Sequence, residues 1–340
     1  MVVEKTMKLG VWRLRGIDRR EDARWLSLQK KGVDVLFHES SKGTGGWQHS
    51  QVPRCSFKEL LSCDIINMAD EEITEKAEQT ETKEIIDIIN FIPENKKIIM
   101  SVYTPTSLEK YNDVVKERVS VFLLNWRMPI PARFPYEKLH IIKHAMDTEY
   151  WKPNPNFKRE FREPGTMFII FMAEVLYTKG FGELISAFVK ANHINNKIRL
   201  VIAGKDPAFA AQYYTDKFHG KMFYQGFTTK WDDVKYLLLN SDIFCQPNIT
   251  NQGSHGLQEA MSCGLPLLTI DNGFMEREFI DDGKNGYVCK DWKELGTRFI
   301  ELAENMDEIN VMGENSRIKA LKEYNGDIVA NKILDIIKKI

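Results

Sequence analysis

The chain has 340 residues, 43% of them hydrophobic and 28% charged, a globular composition that excludes disordered and fibrous classes and a length that suits two domains, each with its own core. A formal net charge of −1 provides no global basic field for nucleic acid, although a local basic patch stays permitted. The start Met1 to Lys8 lacks the apolar core of a signal peptide, and no run approaches the roughly 18 apolar residues of a membrane span. The expectation is a cytoplasmic protein without a transmembrane segment, with peripheral membrane contact left open.

In chain order, Lys8 to Trp12 reads as a strand, Arg20 to Lys31 as a helix ended by Gly32, and Val33 to His38 as the next strand, the opening unit of a parallel doubly wound sheet. The turn Arg13 to Arg19 holds only Gly16 and does not fit G-x-G-x-x-G, which disfavours a classical dinucleotide site. Lys42 to His49 is a Gly-rich surface loop with no following Lys-Ser/Thr, so it is not a phosphate loop. The alternation continues with strands at 64–68, 97–102, 119–124 and 138–144, and with helices over 75–89 and after Pro105. Pro153, Pro155 and the polar run to Gly165 predict a linker, giving domains 1–155 and 156–325 and a last helix over 326–340.

The second half repeats the pattern, with strands at 167–172, 198–203, 223–227, 242–245, 265–270 and 285–288. Helices are predicted from Lys179, over Trp231 to Leu239, near Phe274 to Ile280, and through the tail from about Asp291, where Ile333, Ile336 and Ile337 are spaced for burial. Five cysteines, Cys55, Cys63, Cys245, Cys263 and Cys289, form no CxxC pair. They read as buried thiols in a reducing compartment.

The most informative stretch is Thr250 to Pro266, a small-residue loop entering a helix. Gly253, Ser254 and Gly256 let a ligand approach the backbone where free N–H groups and the helix dipole favour an anion. Leu257 and Met261 share one face, and Glu259 lies off it, placed to accept hydrogen bonds from a ribose or to be solvated.

Gly256-Leu-Gln-Glu-Ala-Met-Ser-Cys-Gly-Leu-Pro266 resembles the nucleotide-sugar signature of retaining GT-B glycosyltransferases of the family-4, group 1 type, whose motif is Glu, seven residues, Glu. Glu259 matches the second Glu, and Asn251 stands in place of the first. Ala145 to Asn154 is similar to the family's crossover between domains. The resemblance implies an α/β fold of the GT-B kind, two Rossmann-like doubly wound domains facing across a cleft, with the terminal helix returning to the first. It implies transfer of a hexose from a UDP- or GDP-sugar, with retention, to a hydroxyl on a sugar, lipid, protein or nucleic acid. Donors aimed at the leaving diphosphate would supply most of the catalysis.

Residue by residue, the resemblance puts Lys179 on the diphosphate together with the helix start Gly253, Ser254 and Gly256, with Leu257 as a further donor-binding candidate. Glu259 takes the ribose, Asn251 and His255 the sugar, and Gln225, Phe227 and Thr228 the base, with Gly204 and Lys205 as further donor-binding candidates. Arg13, Arg15, Gly16 and Tyr103 are first-domain phosphate or acceptor candidates. Glu174 falls where the family carries an Arg, so either a first-domain Arg restores the charge or donor affinity drops. Tyr103-Thr-Pro105 lacks the His that many relatives carry. No Asp-x-Asp occurs in the chain, so catalysis is expected without a metal or other cofactor. Two other readings are a disabled GT-B protein acting as a sugar-nucleotide sensor or partner subunit, and a nucleic-acid-modifying transferase using the Arg13 to Arg20 cluster.

Overall fold

The computed structural model describes residues 6–13, 19–39, 51–70, 78–102, 108, 111–125, 130–159, 165–228, 230–249, 255–273 and 276–340. Strands are β1 (Lys8–Arg13), β2 (Asp34–Glu39), β3 (Ile65–Asp70), β4 (Lys97–Val102), β5 (Val121–Leu124), β6 (Leu139–Ile141), β7 (Met167–Met172), β8 (Ile198–Ala203), β9 (Met222–Tyr224), β10 (Ile243–Cys245), β11 (Leu267–Ile270) and β12 (Gly286–Cys289). Helices in the first half are α1 (Arg19–Lys30), α2 (Phe57–Ser62), α3 (Glu78–Phe91) and α4 (Asp113–Arg118). Those of the second half are α5 (Phe181–Ile194), α6 (Ala210–Lys217), α7 (Trp231–Leu239), α8 (His255–Ser262), α9 (Glu276–Phe279), α10 (Trp292–Glu304), α11 (Met306–Glu323) and α12 (Gly326–Ile337).

The chain forms two compact units, Met1–Asp147 with Glu323–Ile340, and Thr148–Lys322; the sequence reading puts the corresponding junctions at 155/156 and 325/326. The first unit is built on a six-stranded sheet in the order β2-β1-β3-β4-β5-β6, parallel throughout. This is the flavodoxin-like doubly wound order with one strand added. Leu9, Val11, Val35, Phe37, Ile65, Ile99 and Leu123 form one core with Trp25 and Leu28 of α1 and Val329, Ile333 and Ile337 of α12. The apolar spacing of α12 is therefore satisfied by this sheet. Gly326 allows the close approach, since a Cβ there would lie 2.7 Å from the Ala23 carbonyl oxygen. Where the chain leaves the sheet, Met146 N–H donates to Tyr324 O at 2.7 Å, so the end of the first segment and the start of the returning one are tied together.

The second unit carries a parallel six-stranded sheet in the order β12-β11-β10-β7-β8-β9. Counted from its own first strand this is 6-5-4-1-2-3, the Rossmann order. Ile169, Phe171, Leu200, Ile202, Phe188, Leu184, Leu295 and Phe299 belong to its core. Asp242 anchors the amino ends of the strands: it is 3% exposed, accepts from Phe168 N–H at 2.8 Å and pairs with Arg159.

Several expected elements are shorter than the apolar runs that announce them. The predicted strand 138–144 pairs only over Leu139–Ile141, because a single 3-10 turn, Tyr136–Lys138, leads into it and the chain then crosses out of the unit. The predicted strand 223–227 ends at Tyr224, where Gly226, with φ +68°, turns the backbone. Two helices that the periodicity does not announce are α2, held by a reciprocal Ser56–Glu59 capping box, and α6. The latter is capped by the Asp206 carboxylate, which accepts from Ala210, Ala211 and Gln212 N–H at 2.8–3.2 Å. Among the described residues no helix is long and apolar enough to cross a membrane.

Candidate functional site

In a doubly wound sheet the ligand crevice opens at the carboxyl ends of the strands where the order reverses, which in the second unit is between β7 and β10. Two chain segments are fastened together there. The turn after β7 is a 3-10 turn, Tyr177–Lys179, and Thr178 O accepts from Ile249 N–H at 3.2 Å. Gly180, with φ +72°, presses so closely on the segment after β10 that a Cβ would stand 1.7 Å from the Pro247 carbonyl oxygen. Lys179, half-buried, is thereby fixed at the head of α5, beside the segment that enters α8.

That segment is itself held by polar contacts inside the fold. Gln246 and Asn248 are buried. Thr269 Oγ1 donates to Gln246 O at 2.9 Å, and Asn272 Nδ2 donates to Asn248 O at 3.2 Å. After it comes α8, in which every residue from Gly256 to Ser262 is buried. Of the two placements open to Glu259 in the sequence, the solvated one is overturned: Glu259 is 5% exposed, because α8 is covered on all sides and has no solvent face. Burial and the Glu259 charge together push the neighbouring Cys263 thiol up to about 12. Leu257 and Met261 lie in the apolar interior.

The far end of α8 is fixed by Arg317, whose Nη1 donates to the carbonyls of Ser262 (3.0 Å), Trp151 (3.0 Å) and Thr148 (2.8 Å). A cation at a helix C-terminus complements its dipole. Burial lowers the Arg317 pKa from its ordinary value. Arg317 has no local sequence signal, since two of its partners lie 166 and 169 positions away.

Next to β7, the ends of β8 and β9 form a second cluster. Val175 N–H donates to Lys205 O at 2.7 Å and Gly204 N–H to Gly226 O at 2.8 Å. A Cβ at Gly204 would stand 1.8 Å from Ala173 O, so this crossing admits no side chain. Tyr224 Oη, absent from the sequence candidates, donates to Gly204 O at 3.0 Å and locks the turn. The Lys205 ammonium lies 5.1 Å from the centroid of the Phe227 ring, which is 49% exposed. Gln225 is exposed beside it. The Thr228 hydroxyl is engaged by the start of α7, donating to Asp233 at 2.9 Å and accepting from Lys230 N–H at 3.1 Å.

The candidates brought to this edge of the second unit are thus Lys179, Gly204, Lys205, Gln225, Phe227, His255, Gly256, Leu257 and Glu259, with His255 half-buried at the start of α8. Glu174 is exposed on the turn after β7. Asn251, Gly253, Ser254, Arg15, Gly16, Tyr103 and the Lys42 to His49 loop lie outside the described residues, and of Arg13 only its place at the end of β1 is described. Among the described residues no three His, Cys, Asp or Glu side chains gather as a metal site requires. The five cysteines are free, four of them buried.

Comparison with known proteins agrees with this architecture. Residues 154–319 match the family model for glycosyl transferases group 1. Spore coat protein SA of Bacillus subtilis is 30% identical over 111 residues, covering 32% of this chain and 29% of that protein, so the match spans under a third of that relative's length. Alpha-monoglucosyldiacylglycerol synthase of Acholeplasma laidlawii is 23% identical over 285 residues, 72% of this chain and 71% of that one. The Anabaena HepE structure in complex with UDP superposes with a TM-score of 0.75 at 16% identity, covering 98% of this chain and 100% of that one. The chain therefore has the fold of the GT-B glycosyltransferases, and the match of its second unit makes it one that resembles the group 1 type.

Proposed function

We propose that the protein transfers a hexose from a UDP- or GDP-sugar to a hydroxyl acceptor, with retention of configuration and without a metal ion. The observation that carries this reading is the fastening of the Lys179 turn to the segment entering α8, a helix whose buried carboxylate is Glu259. As the glycosidic bond breaks, negative charge collects on the leaving diphosphate. The Lys179 ammonium and the N–H groups of the first turn of α8 stabilise it, and a fixed site does so without reorganisation cost. Glu259 accepts from the ribose hydroxyls, His255 and Asn251 address the sugar, and the leaving phosphate oxygen takes the acceptor proton. Support comes from the HepE structures, which hold UDP or UDP-glucose, and from the lack of any Asp-x-Asp in the sequence.

The test is binding and turnover with UDP- and GDP-sugars. Lys179→Ala is expected to lower kcat by about 100-fold or more, and Glu259→Gln to weaken nucleotide binding by about tenfold. A second reading, a donor-binding partner subunit without turnover, is favoured by Glu174, an exposed carboxylate five residues before Lys179. Intact UDP or GDP binding with no nucleotide release from any sugar donor selects that second reading. A chain that binds neither nucleotide rejects both.

A further inference from the structure

We infer that the outward face of α11 is a self-association surface, on which two copies of this chain pair antiparallel about a twofold axis. The buried residues of this helix, Ile309, Met312, Gly313, Ser316 and Ala320 among them, lie on one face, and Ile309 and Met312 belong to the core of the second unit. At about 100° per residue the opposite face carries Asp307, Val311, Glu314, Ile318, Leu321 and Lys322, all exposed. A helix face turned to water is ordinarily polar, yet the middle of this one is apolar: Val311 is 58% exposed, Ile318 60% and Leu321 39%. The positions 307, 311, 314, 318 and 321 alternate in steps of four and three, the repeat that forms the seam of a helix pair. One face of α11 thus serves the core, and the other is built to meet a second helix.

The charges at the two ends of the seam choose its occupant. Asp307 stands at the amino end and Lys322 at the carboxyl end, about 22 Å apart along the axis. Among the described residues neither has an ion pair, and no opposite charge stands three or four positions from either along the chain. A second copy laid antiparallel, with the axis between Glu314 and Asn315, sets Val311 against Ile318 of the second copy and Asp307 against its Lys322. Each contact occurs twice, as in any isologous pairing. Glu314 meets its own copy beside the axis, a like-charge contact that weakens the pair. The same end charges suit the dipole of α11 itself, but the dipole does not account for the apolar residues between them. A membrane surface would ask for an excess of Lys and Arg, whereas this face sets one Lys against Asp307 and Glu314. Arg317, on the flank of the helix, is committed to the Thr148, Trp151 and Ser262 carbonyls and takes no part. The seam is short beside the roughly 20–30 residues a side of a standard interface, so the dimer is a transient one with a Kd on the order of 10–100 μM.

Analytical ultracentrifugation of the full chain from about 2 to 200 μM, a range that brackets this Kd, is expected to show a monomer–dimer equilibrium. Ile318→Glu puts a carboxylate against Val311 of the second copy and is expected to weaken the dimer about tenfold or more. Asp307→Lys and Lys322→Asp each set like charges opposite one another and are expected to weaken it about fivefold, while the variant carrying both restores the pairing to within about twofold of the parent. Glu314→Gln removes the repulsion at the axis and is expected to tighten the dimer. Thermal melts of all these variants are expected to match the parent, since every substituted side chain is exposed. A parent chain that stays monomeric throughout the range, or a dimer indifferent to Ile318→Glu, overturns the inference. A double swap that recovers none of the loss overturns the antiparallel pairing.

Discussion

Gly180 and Gly182 sit two residues apart and do opposite things. Gly180 has φ +72° and leaves 1.7 Å between a built Cβ and Pro247 O, whereas a Cβ on Gly182 meets nothing within 4 Å. Substituting Ala at 180 therefore forces both a left-handed strain and a backbone clash, and Gly180→Ala is expected to cost about 3 kcal/mol or more. Gly182→Ala removes backbone entropy from the unfolded chain in the first turn of α5 and is expected to stabilise by about 0.5–1 kcal/mol. Urea unfolding of the two variants checks the pair, and similar midpoints would show that the turn holding Lys179 is not clamped as described. The buried Gln246 and Asn248 tell the same story from the other side, since polar side chains this deep are kept by hydrogen bonds.

At the scale of elements, two helices depend on distant sequence. The helix α12 fills the face of the first sheet with Val329, Ala330, Ile333, Ile336 and Ile337, and its Ile333 is 1% exposed. Ile333→Ala is expected to cost about 2–5 kcal/mol by lost burial and a residual cavity. Hydrogen exchange followed by mass spectrometry should show the loss of protection in β1, β2 and α1. Unchanged protection there would mean that α12 is not part of that core. The helix α8 is buried on every side, so its neighbours rather than its own amphipathicity hold it, and the Arg317 guanidinium collects three carbonyls at its C-terminal end.

At the scale of the whole molecule the two units differ in how the chain builds them. The second is continuous, Thr148–Lys322, while the first is completed only by Glu323–Ile340. A fragment of residues 148–322 keeps all of its own sheet and core and is expected to fold cooperatively alone, and to bind UDP within about tenfold of the full chain. A fragment ending at 147 lacks α12 and is expected to fail. Thermal melts and calorimetry check both. A molten second-unit fragment would show that its stability comes from elsewhere.

The apolar runs of the sequence determined where β1, β4, β7, β8 and α7 lie, because a strand buried on both faces or a helix with one apolar stripe leaves a local, periodic mark. The small-residue loop and helix around Glu259 left a local mark of their own, since glycines at a strand-to-helix turn act locally, whereas Glu259 and Lys179 were singled out by their match to the family pattern. The sequence did not determine the strand order, the contact of Thr178 with Ile249, the burial of Glu259, or the placing of the Lys205 ammonium beside Phe227. Those depend on which strand ends become neighbours, and parallel pairing joins residues far apart in the chain. Only the tertiary structure turned an acidic residue off an apolar face into a buried carboxylate, because it alone supplies the covering surface.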